Sequence, residues 1–354
     1  MTAKRDLKLI IRDRQRKTGE SYTAAHAHVM RARAALLGIA DELEPAPQPV
    51  RIEAAVLKVG TTTARIRILG SDEQITLRSR DVWDLAPGQI VTIRVAKRWT
   101  FHGDAYASGK IEAARIEAGK LGLEALPLTG GELEDLRQTY ERVRAPDPYA
   151  PLWRRLTAKP RPVYEMDEIA WGAFPDCDPE DNPTCDAAEL REAGDIEGAY
   201  DLLMETVFRD LRCLDAHAQL GNLEFERSPE QAIVHYEIGV RIGELSLPTP
   251  FDGVLPWGYL YNRPFLRCLH GYGLCLWRLD RTEEAVRVFE RMLALNPNDN
   301  QGVRFCWFDV REGTTWEAAQ AREALEATQR AEAVRQVRAE PSPPAPRDGD
   351  PHVN

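Results

Sequence analysis

The stretch Phe265–Pro297, FLRCLHGYGLCLWRLDRTEEAVRVFERMLALNP, limits what this chain can fold into more than any other part of it. It holds two apolar-periodic segments of helical length, broken near Leu279 to Arg281 and closed by Asn296-Pro297. Leu269, Tyr272 and Leu276 form a stripe on the first segment, and Ala285, Val288, Phe289 and Met292 form one on the second. A lone helix pair of this kind leaves apolar surface uncovered. Neighbours of the same kind are therefore expected, which is the logic of a repeat array.

Such neighbours can be aligned from Asp186 onward. In the last copy Gly273 is followed by Ala285, Phe289 and Pro297; the middle copy has Leu220-Gly221, Ala232 and Tyr236; the first has Ala187, Ala199 and Leu203. Small residues at these places let two helix backbones cross closely. Ser228-Pro229-Glu230-Gln231 adds a helix start, with Ser at the N-cap and Pro at the first helical position. On these residues the region resembles the tetratricopeptide repeat family, whose units are helix pairs of about 34 residues. The spacing from Gly221 to Gly273 exceeds one unit. The excess is an insertion over 245–264, rich in Pro, Gly and aromatics, which is expected to fold back onto the array.

The resemblance implies a groove lined by the first helix of each repeat. Its inward positions would be Arg267, His270, Leu274, Trp277 and Arg278 in the last copy and Asp215, Ala218, Asn222, Phe225 and Glu226 in the middle one. Members that clamp a peptide carboxylate use Lys and Asn at fixed places; here only Asn222 falls on one, and Ala218 stands where the Lys belongs. The candidates for gripping a helix or extended segment of a protein partner are therefore Asn222, Phe225, Arg267, His270, Trp277 and Arg278. The competing reading packs these side chains against the next helix or the insertion.

The first half is built differently. Residues 1–45 read as a helical hairpin, a short helix over 5–17 stopped at Thr18-Gly19 and a longer one from Tyr22 to Leu43 capped by Ser21. Residues 1–34 carry a surplus of +6, against a net charge of −10 for the whole chain. Arg12, Arg14, Arg16 and Lys17 are thus candidates for phosphate contact, with a solvated basic face as the plainer reading. His26 and His28 are two apart on a helix and so do not suggest a metal site. Beyond the Pro-rich run ELEPAPQPV, five β-rich segments lie in 50–118: Val50–Val59, Thr62–Leu69, Gln74–Ser79, Ile90–Lys97 and Tyr106–Ala114. They suggest a five-stranded barrel similar to the OB or SH3-like class, and such barrels often bind single-stranded nucleic acid through basic and aromatic side chains. Arg65, Arg67, Arg94, Lys97, Arg98, Trp99 and Phe101 are the candidates. The reading preferred from sequence has Trp99 and Phe101 closing the barrel's own core.

Residues 119–185 read as a connection with a charged helix over 132–144, anchors at Trp153 and Tyr164, and an acidic loop, AFPDCDPEDNPTCD. Twelve carboxylates and one base between Glu165 and Glu197 make that region a poor nucleic-acid surface. The loop lacks the order of a calcium-binding loop and has no His nearby. Residues 186–340 form the array, and 341–354 are disordered by composition.

Catalytic motifs are missing. Gly103 to Lys110 has one residue too many for a phosphate loop, and Gly271-Tyr272-Gly273 lacks a third glycine. Neither HExxH nor GxSxG occurs. No apolar run reaches the ~18 residues of a membrane span, the start lacks a signal peptide's apolar core, and the six cysteines form no CxxC pair. The expectation is a multidomain α+β protein: helical hairpin, small barrel, helical repeat array. It is read as a cytoplasmic, non-enzymatic interaction scaffold with no cofactor or membrane contact, whose array binds an unidentified protein. The alternative is a regulator that contacts RNA or DNA through head and barrel.

Overall fold

Ser21 lies between two helices and accepts a hydrogen bond from Ala24 N at 3.2 Å, the side-chain cap that starts the second of them. In the computed structural model, which describes residues 3–36, 50–139, 147–167 and 182–339, the two are α1 (Ala3–Thr18) and α2 (Tyr22–Leu36). Ile11 and Ala25 are buried. The Pro-rich run, most of the acidic loop, the end of the expected charged helix and the 341–354 tail lie outside the described residues.

Alternating apolar residues then build a closed barrel from β1 (Val50–Val59), β2 (Thr63–Ile68), β3 (Gln74–Arg78), β4 (Gln89–Phe101) and β5 (Asp104–Ile116). The strand order is β1-β2-β3-β5-β4. β1 runs antiparallel to both β2 and β4, which closes the ring, while β3 and β5 are parallel. Ala54, Val56, Ile66, Ile75, Leu77 and Ile93 fill the interior. Period two thus sends Arg65 and Arg67 outward, as their alternation with Ala64 and Ile66 requires.

The segment after the barrel departs from expectation. Leu128–Glu134 is a strand, β6, paired antiparallel with β7 (Arg161–Met166). Glu132 and Glu134 therefore belong to a strand, and helix begins only at Leu136, in the four-residue α3 (Leu136–Thr139). The reason is the pairing with β7, and Gly130, at φ +99°, supplies the conformation needed where that pairing shifts register. Next comes α4 (Ala150–Leu156). Trp153 and Tyr164 pack against the main core as anchors.

Four helix pairs follow among the described residues: α5 (Pro183–Glu192) with α6 (Ile196–Arg209), α7 (Leu214–Phe225) with α8 (Pro229–Glu244), α9 (Arg263–Arg278) with α10 (Thr282–Leu295), and α11 (Val303–Arg311) with α12 (Trp316–Ala339). Ser228 caps α8 by accepting from Gln231 N at 3.3 Å. The glycines stand where the pattern places them. A Cβ on Gly273 would lie 2.4 Å from Phe289, and one on Gly221 would lie 2.6 Å from Tyr236, so the α7–α8 and α9–α10 pairs each cross over a missing methyl.

The insertion folds back, against β7 and the C-terminal end of α10. Val254 bridges to Val163 of β7, Leu255 N donates to Leu295 O at 2.7 Å, and both residues are fully buried. One barrel wall also joins the helical core. Ala55 and Ile90, out of phase with the barrel interior, pack there with Ala86, Ala118 and Leu121. Gly88, at φ +98°, lets the Pro87-Gly88 turn approach α8, because a Cβ there would meet Ile238 at 2.7 Å. Lys58 and Glu205 pair across the same seam at 2.6 Å.

Candidate functional site

The barrel's outer face is assembled by register. Trp99 pairs with Tyr106, Tyr106 with Thr76, and Thr76 with Arg65, giving one row across four strands. The adjacent row runs Lys97, Ser108, Arg78, Thr63, and Gln74 pairs with Arg67 beyond. None of these ten outward side chains is a carboxylate, and four are cations.

At one end of the face the Trp99 and Tyr106 rings stack with centroids 5.6 Å apart and planes 10° from parallel. The Arg78 guanidinium lies 5.7 Å from the indole centroid and 5.6 Å from the phenol centroid, and Lys97 Nζ lies 5.7 Å from the indole. Phe101, 59% exposed, sits at the hairpin tip with its ring against His102. This corrects the reading of Trp99 and Phe101 as core closers. β4 and β5 extend past their pairing with β1 as a two-stranded arm, so the end of β4 and the start of β5 have no interior to enter. A bulge between Val95 and Lys97 turns the arm's alternation so that Lys97 and Trp99 share the face.

An open cleft of about 710 Å³ borders the second row and adds Arg80 and Lys110, with Asp81 its one carboxylate. Among the described residues Arg78, Arg80, Lys97 and Lys110 make no ion pair, so their charge is not offset by a carboxylate. Other candidates are spent elsewhere. Arg67 donates to Leu121 O, Arg98 pairs with Glu73 at 2.6 Å, Arg94 lies 3.3 Å from Glu112, and Arg65 donates to Gln74 Oε1 and Thr76 Oγ1 within the face. In the head, Arg14 pairs with Glu20 and also contacts His28 at 2.8 Å, while Arg16 and Lys17 flank Asp13. Arg12 is exposed. Surface pairs of this kind are worth little and yield readily to a phosphate.

Sequence reading singles out neither Arg78 nor Tyr106. The signals that carry them are the alternation Gln74-Thr76-Arg78 and the hairpin's symmetry about His102-Gly103, which makes Trp99 and Tyr106 partners.

The array's candidates are engaged internally. Trp277 is 3% exposed, donates from Nε1 to Thr314 O at 3.0 Å and meets Trp316 edge to face. Arg278 donates to Phe225 O and, at 3.2 Å, to Glu226 O, with its guanidinium over the Phe225 ring. Arg267 pairs with Asp215 at 2.7 Å and lies 5.8 Å from the Trp257 ring of the insertion. Asn222 Oδ1 accepts from the Tyr236 hydroxyl at 2.6 Å. His270 is largely enclosed beside Gln301, and burial pushes its pKa down to about 4. Trp277 and Arg278 thus make internal contacts of the kind the competing reading expects: the start of α12 covers one and the end of α7 receives the other.

Among the described residues no three His, Cys, Asp or Glu side chains converge to hold a metal ion, and no helix is long and apolar enough to cross a membrane. No protein-family model, no curated protein and no solved structure matches the chain significantly.

Proposed function

We propose that the protein binds single-stranded nucleic acid on the outer face of its barrel, with the helical array as a mount and the basic hairpin as an auxiliary phosphate contact. The strand order, with β3 beside β5 in parallel, fits the OB class, in which the face of the second and third strands and the loop joining the last two receive oligonucleotides. The four helix pairs fit a tetratricopeptide-like arrangement. Their groove candidates are already occupied from within, so the scaffold reading moves from peptide capture to support of the barrel.

One observation carries the reading: on a chain of net charge −10, two rows of outward side chains with no carboxylate among them present stacked, half-buried aromatic rings flanked by Arg78 and Lys97. Unpaired bases offer π-faces to such rings, and phosphates offer charge to the cations. A duplex keeps its bases stacked inside and gains only the second term.

The test is fluorescence anisotropy of the full chain with labelled single- and double-stranded oligonucleotides over a salt series. Single strands should bind tighter, with affinity falling as salt rises. Trp99→Ala should weaken single-strand binding by roughly 5- to 150-fold, the equivalent of about 1–3 kcal/mol per stacked base. Arg78→Ala with Lys97→Ala should lower the salt slope by about 1.4, at ~0.7 for each phosphate no longer neutralised. Salt-independent binding, or a Trp99→Ala variant equal to wild type, defeats the reading.

A further inference from the structure

A second cleft, of about 270 Å³, opens where the barrel's turn at Val82–Asp84 meets α6, α7 and α8. Its chemistry is the reverse of the barrel face. Asp84, Glu224 and Glu230 line it, Trp83 and Tyr200 form aromatic walls, and neither Lys nor Arg is among its lining residues. We infer that this cleft is a binding site for an organic cation, the guanidinium or alkylammonium head of a basic side chain or of a free amine.

Three observations narrow the ligand to that class. First, the Trp83 indole that borders the cleft is 62% exposed and so open to a ligand; an indole face beside carboxylates suits an organic cation. Second, the carboxylates are unequally committed. Glu224 is held by Arg227 at 2.9 and 3.1 Å and Glu230 accepts from Ser228 Oγ at 3.2 Å, whereas Asp84 has no ion pair among the described residues. Third, His235 lines the cleft at 6% exposure, and its buried Nδ1 has no hydrogen-bond partner among the described residues. Burial keeps that imidazole neutral, so one of its ring nitrogens is an acceptor open to an N–H donor. A guanidinium or ammonium brings both the charge and the N–H groups. A bare divalent ion does not fit, since no three ligands converge there among the described residues.

Calorimetry on the full chain distinguishes the sources. Agmatine and cadaverine serve as free cations, acetyl-Gly-Arg-Gly-amide as a protein-borne guanidinium, and the citrulline peptide as its uncharged isostere. Saturable binding of agmatine or cadaverine assigns the site to free amines; saturable binding of the Arg peptide alone assigns it to a basic protein partner. In either case the citrulline peptide should bind at least about tenfold more weakly, as expected for loss of the charge. Asp84→Asn with Glu230→Gln should weaken the cation by about tenfold, and Trp83→Ala by about threefold to fivefold. Circular dichroism checks folding, and Trp83→Phe, which keeps an aromatic face, should retain most of the affinity. The inference is overturned if no cation saturates, if the citrulline peptide binds equally, or if the carboxylate variant binds like wild type. Oligonucleotide binding should be unaltered in Asp84→Asn/Glu230→Gln, so this site stands or falls separately from the barrel face.

Discussion

Arg161→Met tests what holds the insertion in place. The guanidinium is 6% exposed and donates to three backbone carbonyls: Nε to Asp252 O at 3.0 Å, Nη1 to Ala294 O at 2.8 Å and Nη2 to Gly253 O at 2.9 Å. One side chain thereby joins β7, the insertion and the end of α10. Burial pulls its pKa below the ordinary range, with Asp252 pushing the other way, and it remains a cation at neutral pH. Charge-assisted bonds contribute about 1.5 kcal/mol each at the low end, a gross scale of about 5 kcal/mol for three. Removing the charge also removes its desolvation cost, while the orphaned carbonyls cost about 1 kcal/mol or more apiece. The expected net loss is about 3–4 kcal/mol. Arg161→Lys keeps the charge but not the planar fork, so it should recover no more than about a third. Urea denaturation at pH 7 gives the stability, and limited proteolysis reports whether Leu247 to Asn262 loosens first. A loss under about 1 kcal/mol, or an insertion as protected as in wild type, would refute the reasoning.

Further expectations concern packing and pH. Gly273→Ala places a methyl 2.4 Å from a fully buried Phe289 and should cost about 1–3 kcal/mol in urea unfolding, and Phe289→Leu should restore part of it. If the double variant is no better than the sum of the singles, the two residues are not coupled. His217, His235 and His270 are held neutral by burial, with pKa values pushed from 6.5 down to about 4, about 3 and about 4. The unfolded chain therefore binds protons that the folded one refuses. Stability is full above pH 6.5 and should fall from there toward pH 4, by about 1.4 kcal/mol per pH unit for each of the three. Urea midpoints between pH 7 and 4.5 should show that slope, and His217→Gln should remove about a third of it; a flat profile contradicts the burial.

The array was legible because its information is local. Apolar stripes, Ser228-Pro229 and the small residues Gly221 and Gly273 each state their role within a turn or two of helix. The barrel's strands were legible for the same reason, since Ala64, Ile66 and Ile68 alternate with Arg65 and Arg67. β6 was not. Its Gly130-Gly131 carries no strand propensity, and what orders it is β7, about 30 residues away, braced in turn by Val254. The binding face shows the same division. Lys97 and Trp99 were visible as residue types, but their meeting with Arg78 and Tyr106 depends on a bulge and on a parallel pairing of β3 with β5. The anchoring of Arg67 and Arg278 is not legible in the sequence either, because each donates to a main-chain carbonyl more than 50 positions away, and no side-chain pattern encodes an acceptor that every residue carries.

The wall shared by barrel and array has a consequence for how the molecule comes apart. Ala55 and Ile90 serve the helical core while Ala54 and Val91, their neighbours in the chain, serve the barrel core, so neither half can melt without exposing apolar surface of the other. Heating should therefore produce one calorimetric transition for 50–310. Fragments cut at the compositional boundary near residue 118 would carry a sticky, half-finished wall and aggregate, whereas amides of β1 and α8 should exchange with solvent only through the same global opening.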